Sequence, residues 1–194
     1  MYVVINQIMR TFISLDVNDS NILENVLNFH DILSDFHSSM KLVNPNQLHF
    51  TLKFLGDVSS DRIKKISNLL SEINTKKFSV TFNSIGVFPN YNTLSIIWMG
   101  VDNNSVKFID SLSNNVNTTL CALYKSDDIK FIPHVTLCRL KNLKNKSKLV
   151  SLLKNNSDLI FGTQEFYNFS LKSSKLTEKG PLYTTLSNFK FHDV

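Results

Sequence analysis

Histidine and threonine recur at one fixed spacing in this chain. His49-Phe50-Thr51-Leu52 and His134-Val135-Thr136-Leu137 both read His-x-Thr-Leu. An imidazole titrates near pH 6.5, so one ring can accept a proton while another donates one close to neutrality. A threonine hydroxyl two residues away can hydrogen-bond a charged oxygen. Two such pairs suit in-line displacement at phosphorus. One ring serves the entering oxygen and the other the leaving oxygen, while the hydroxyls hold the non-bridging oxygens through the transition state. A 2′,3′-cyclic phosphate fits this arrangement, because its charge is low and its leaving oxygen needs a proton.

The repetition exceeds chance. The chain has five histidines, and random placement would give roughly 0.3 His-x-Thr occurrences on composition alone. A catalytic metal site is a weaker reading. Zinc enzymes usually supply three protein ligands, the residue at i+2 is Thr, and Asp57 lies beyond a turn. A Ser nucleophile is weaker still, since no Gly-x-Ser-x-Gly elbow is present. The expectation is catalysis by His49 and His134, with no metal and no cofactor.

Both motifs need strands to present them. Side chains alternate faces along a strand, so Leu48, Phe50, Leu52 and Phe54 would line one face, and His49, Thr51 and Lys53 the other. Val135 and Leu137 would likewise oppose His134 and Thr136. The first motif strand reads Gln47 to Leu55, the second about Lys130 to Leu140. A strand Thr11 to Val17 precedes a helical stripe of Ile22, Val26, Phe29, Leu33, Phe36 and Met40, with Asp19 or Ser20 as cap. Asn44-Pro45-Asn46 turns the chain. A second helix carries Ile63, Ile66, Leu70 and Ile73. Strands follow at Phe78 to Phe82 and Ile85 to Phe88. Then the order repeats, with strand Leu94 to Val101, a stripe from Val106 to Leu120, the second motif strand and a short helix near Leu149 to Leu153. Strands Glu165 to Ser173 and Leu182 to Phe191 flank the turn Thr177 to Pro181.

The two motifs stand about half the chain apart, so an internal duplication with two lobes is the simplest organisation. The expected fold class is α+β, with two pseudo-symmetric sheet lobes, outer helices and a central cleft. With 194 residues, 42% of them hydrophobic, the chain can bury a sizeable core. A net charge of +5 is a mild basic excess that allows a polyanionic partner. Cys121 and Cys138 lack metal-site spacing and read as packed, reduced thiols. No signal peptide or membrane-length apolar run is visible, so a cytoplasmic, monomeric protein with no membrane partner is expected.

Particular stretches carry a family resemblance. Leu48 to Gly56 (LHFTLKFLG) and Pro133 to Arg139 (PHVTLCR) resemble the two signatures of the 2H phosphoesterases. The resemblance is strongest to the RNA 2′,3′-cyclic phosphodiesterase family, also called 2′-5′ RNA ligases. Met9 to Ile13 resembles the family's opening, leaving residues 1–8 as a short leader before a single 2H domain, 9–194. Gly86 to Pro89, Trp98 to Val101, Ser174 to Thr177 and Gly180 to Tyr183 resemble its middle and closing stretches. The resemblance implies hydrolysis of RNA 2′,3′-cyclic phosphate ends, tRNA fragments among them, to 2′-phosphates, and in some members 2′-5′ joining. By analogy His134 is base toward water, His49 acid toward the leaving 3′ oxygen, and Thr51 and Thr136 hold the phosphate. Other readings of the same site are a 2H enzyme acting on 2′-5′ oligoadenylate or ADP-ribose cyclic phosphate, or an RNA- or nucleotide-binding module without catalysis.

Arg139 stands where the family often has a phosphate-contacting arginine. Strict alternation puts it opposite His134, so a bulge or twist must re-aim it, or it is a surface residue. Lys53 reads as a solvated strand-end lysine, Trp98 as core, and His30, His37 and His192 as surface or packing residues. An aromatic should stack on the RNA base, but the sequence does not single one out.

Overall fold

A computed structural model of the chain describes residues 7–125, 131–143, 145–178 and 180–192. The elements in order are β1 (Ile8–Asp16), α1 (Ser20–Ile32), β2 (Met40–Leu42), β3 (His49–Ser59), α2 (Ser60–Leu70), β4 (Phe78–Phe88), β5 (Ile96–Val101), α3 (Asn103–Thr119), β6 (Val135–Leu140), α4 (Lys146–Asn155), β7 (Ile160–Phe166), β8 (Asn168–Thr177) and β9 (Gly180–Lys190). The fold is α+β, as expected. Asp19 caps α1 by accepting from the amides of Asn21 and Ile22, at 3.0 and 3.2 Å. Asp102 caps α3, accepting from the Ser105 amide at 2.7 Å.

The strands form one antiparallel sheet, ordered β7-β4-β5-β6-β3-β1-β8-β9, with β2 added beside β6. Reading outward from the centre, β3-β1-β8-β9 forms one half and β6-β5-β4-β7 the other. A single rung, Phe50 with Val135, joins the halves among the described residues. The apolar stripes of α1, α2, α3 and α4 share one core with Ile13, Leu15, Phe50, Ile97, Val135 and Leu137 of the strands. That core covers one sheet face, and the motif histidines and threonines project from the other.

Several boundaries depart from expectation. The stripe running on to Met40 is not one helix: α1 ends at Ile32, Phe36 lies in a 3₁₀ segment, and Met40 opens β2. The two short strands from Phe78 are one strand, β4, with a register break where Ser84 takes φ +70°. Glu165 to Ser173 is two strands. The chain breaks at Tyr167, and β7 and β8 go to opposite halves of the sheet. Periodicity cannot show such a parting, because both pieces alternate alike. The second motif strand begins at Val135, and Lys130 falls outside the described residues, as does the leader up to Asn6. Cys138 is buried and its thiol is pushed up to about 12 by desolvation, but Cys121 is exposed rather than packed.

Candidate active site

Antiparallel pairing of Phe50 with Val135 sets His49 level with Thr136, and Thr51 level with His134. Phe50 and Val135 are buried on the core side, so all four neighbours emerge on the opposite face. The two His-x-Thr segments thus meet as a diagonal pair at the centre of the sheet, about 4.8 Å apart strand to strand.

Each ring is held in the same tautomer by its own chain. His49 Nδ1 lies 2.8 Å from the Gln47 carbonyl, and His134 Nδ1 lies 2.7 Å from the Ile132 carbonyl. A carbonyl only accepts, so each Nδ1 carries the proton and each neutral ring presents a bare Nε2. Burial lowers the proton affinity of both imidazoles. His49 is raised again by the Gln47 carbonyl and by Asp16, and lowered by Lys172 and by His134 itself. His134 feels Arg139 instead.

The fourth residue of each motif explains how the flanking side chains are aimed. In the β1–β3 ladder Ser14 pairs with Thr51 and Ile13 with Lys53, so Leu52 is an extra residue. In the β5–β6 ladder Trp98 pairs with Thr136 and Ile97 with Cys138, so Leu137 is extra. Each motif leucine is therefore a bulge, which resets the alternation downstream. Beyond Leu137, Cys138 turns into the core and Arg139 comes round to the His134 face, where it is exposed. Beyond Leu52, Lys53 turns inward and Phe54 comes round to the His49 face.

Two expectations are corrected here. Lys53 is only 3% exposed, with Nζ 2.6 Å from Asn117 Oδ1 on α3, and is not a solvated strand end. Phe54, expected in the core, is 72% exposed. The bulge carbonyls are themselves held from the helices. Ser113 of α3 donates to Leu52 at 3.3 Å, and His30 of α1 donates through Nε2 to Leu137 at 3.3 Å. His30 is thus a buried packing residue that supports the second motif.

Aromatic rings flank both imidazoles. Phe12 and Tyr183 sit 5.1 and 5.2 Å from His49, centroid to centroid. Phe88 and Trp98 sit 4.8 and 6.1 Å from His134. Trp98 is therefore not a core residue, because as the partner of Thr136 it shares the site face. Its indole lies flat over Gly86, where a Cβ would come within 2.0 Å of Cζ2.

Asp16, the partner of His49, is ion-paired with Lys172 at 2.6 Å and accepts from Ser14 Oγ at 3.1 Å. The sequence alone did not find Phe12, Asp16, Lys172 or Tyr183. Phe12, Ser14 and Asp16 do alternate on one strand, but only the β1–β3 register brings that face to His49. Among the described residues no group of three His, Cys, Asp or Glu side chains is placed to hold a metal ion. No helix among them is long and apolar enough to cross a membrane.

Comparison with known proteins bears on the family and the fold. The family profile described as the AKAP7 2′5′ RNA ligase-like domain matches residues 10–191. The chain belongs to the 2H phosphoesterase family. Among its relatives is a protein of Archaeoglobus fulgidus named RNA 2′,3′-cyclic phosphodiesterase, 35% identical over 182 residues, 94% of this chain and 100% of the relative. A protein of the same name from Methanocaldococcus jannaschii is 31% identical over 181 residues, 93% of this chain and 100% of the relative. The fold of this 2H phosphoesterase is that of E. coli LigT, solved with 3′-AMP, at a TM-score of 0.77 and 20% identity, covering 95% of this chain and 99% of LigT.

Proposed function

We propose that this 2H phosphoesterase, like the relatives named RNA 2′,3′-cyclic phosphodiesterase, opens RNA 2′,3′-cyclic phosphates, and that it does so at RNA ends to leave 2′-phosphates. The observation that carries the reading is the diagonal His/Thr pairing about Phe50 and Val135, with Nε2 bare on both neutral rings. His134 Nε2 takes a proton from water as its oxygen bonds phosphorus. His49 enters the step as imidazolium, with one proton added at Nε2. The bond from phosphorus to the 3′ oxygen breaks and His49 gives that proton to the oxygen, leaving His49 neutral and His134 protonated until exchange with water resets the pair. Thr51, Thr136 and Arg139 hold the non-bridging oxygens. Burial lowers the proton affinity of His49, and the carboxylate of Asp16 acts against that shift. A 5′-hydroxyl entering in place of water would form a 2′-5′ bond by the same step, which is the ligase activity of the proposal. The substrate is an RNA end, such as a tRNA fragment, met by a monomer in the cytoplasm. The two sheet halves are read as products of an internal duplication within one domain.

The test is incubation with an oligonucleotide ending in a 2′,3′-cyclic phosphate, followed by identification of the terminal phosphate. A 2′-phosphate is expected. A 3′-phosphate, or no turnover, would overturn the proposal.

A further inference from the structure

Arg139 and Lys41 face each other directly across β6 and β2. Partners in an antiparallel ladder share a face, so Lys41 lies on the site side with Arg139. Both are exposed, and among the described residues neither is ion-paired. Like charges set opposite one another cost stability, and a polyanion would reverse that cost. The pair is also close to the reacting groups. Arg139 is felt by His134 and by Tyr183, the latter packed edge to face with His49. No more than about 10 Å of strand separates Arg139 from Thr136. Lys41 continues outward to the β8–β9 turn, where its Nζ lies 3.1 Å from the position a Cβ would take on Gly180.

We infer that Lys41 and Arg139 form a second anion subsite, which takes the phosphodiester on the 5′ side of the terminal nucleoside and so favours oligonucleotides over mononucleotides. The inference rests on the cyclic-phosphate reading of the two-histidine site. It gives Arg139 two neighbours, the reacting phosphate on one side and the next phosphate, shared with Lys41, on the other.

The experiment compares a tetranucleotide and a mononucleoside, both ending in 2′,3′-cyclic phosphate, as substrates of the wild type, Lys41→Gln and Lys41→Arg. In Lys41→Gln the ratio of kcat/KM for tetranucleotide to mononucleoside should fall by about three-fold or more. The slope of log kcat/KM against log salt should become shallower by about 0.7 for the tetranucleotide. Lys41→Arg should restore both. An unchanged ratio and slope would overturn the inference, as would an equal loss on the two substrates. Binding of a labelled tetranucleotide with a 2′-phosphate end, against the matching mononucleotide, gives the same comparison without turnover. If the wild type cleaves neither substrate, the cyclic-phosphate reading fails, and the binding ratio still decides the role of Lys41.

Discussion

Phe50 is the cross-strand partner of Val135, and this rung is where the two halves of the sheet meet. Its side chain is fully buried and stacks on Phe82, with centroids 5.5 Å apart. The rung holds His49 and His134 on one face, diagonally on either side of it. Phe50→Ala should cost about 3–5 kcal/mol through the cavity it leaves, read as a lower denaturant midpoint. Phe50→Leu should keep the fold but lower kcat more than stability, because the rung would loosen under the imidazoles.

Removing either imidazole of the proposed phosphorus chemistry should be severe. His49→Ala and His134→Ala should each lower kcat by about 10²–10⁴-fold while leaving the thermal midpoint near that of the wild type. A chelator in the assay should leave the wild-type rate unchanged. Either result is checked by steady-state kinetics on a cyclic-phosphate-ended RNA.

The pH dependence follows from the direction of the shifts. Burial favours the neutral form of both rings. Activity requires one proton shared between them, so the maximum of kcat/KM, which reports the free enzyme, should lie below about pH 6.5. A bound phosphate anion stabilises the protonated ring, so the kcat maximum should lie at higher pH. For stability the sign is fixed as well. A histidine whose folded value is depressed binds protons better when unfolded, so stability should fall as pH drops below the ordinary imidazole range.

Asp16 and Lys172 tune His49 in opposite directions. Asp16→Asn should move the alkaline limb of the kcat/KM profile toward acid by a few tenths to about one pH unit, and Lys172→Met should move it the other way. Movement of the acid limb instead would mean that His49 is the base.

Phe54 occupies on β3 the place that Arg139 occupies on β6, one position past the residue that follows each bulge. Its exposure and its place beside Phe12, 6.4 Å between ring centroids, make it the aromatic best presented to a nucleobase. Phe54→Ala should raise KM by about ten-fold with a smaller change in kcat, as expected for a lost stacking platform.

Gly86 has no room for a side chain under Trp98. Gly86→Ala should cost about 1–3 kcal/mol and displace the indole from beside His134. Trp98→Leu in the same chain should recover part of the stability, measured by denaturant unfolding.

Much of this was legible before any coordinates. Two His-x-Thr-Leu segments on alternating strands specify both the proposed reacting groups and the faces they share, because the strand period is fixed by backbone geometry. Apolar stripes likewise located α1, α2, α3 and α4, and Asp19 marked the start of α1. Alternation failed where the ladder is irregular. It put Lys53 beside His49 and Phe54 in the core, because a bulge is a property of two strands in register and leaves no mark on the period of one.

The sequence by itself therefore determined the candidate groups: which imidazoles, which hydroxyls, and on what kind of element. Tertiary structure alone decided their surroundings. Pairing of β1 with β3 brought Asp16 to His49, and pairing of β2 with β6 set Lys41 against Arg139. The bulges at Leu52 and Leu137 chose which flanking side chains reach the site. The physical reason is that local patterning encodes a residue's face, whereas its neighbours across a sheet depend on register between segments far apart in the chain.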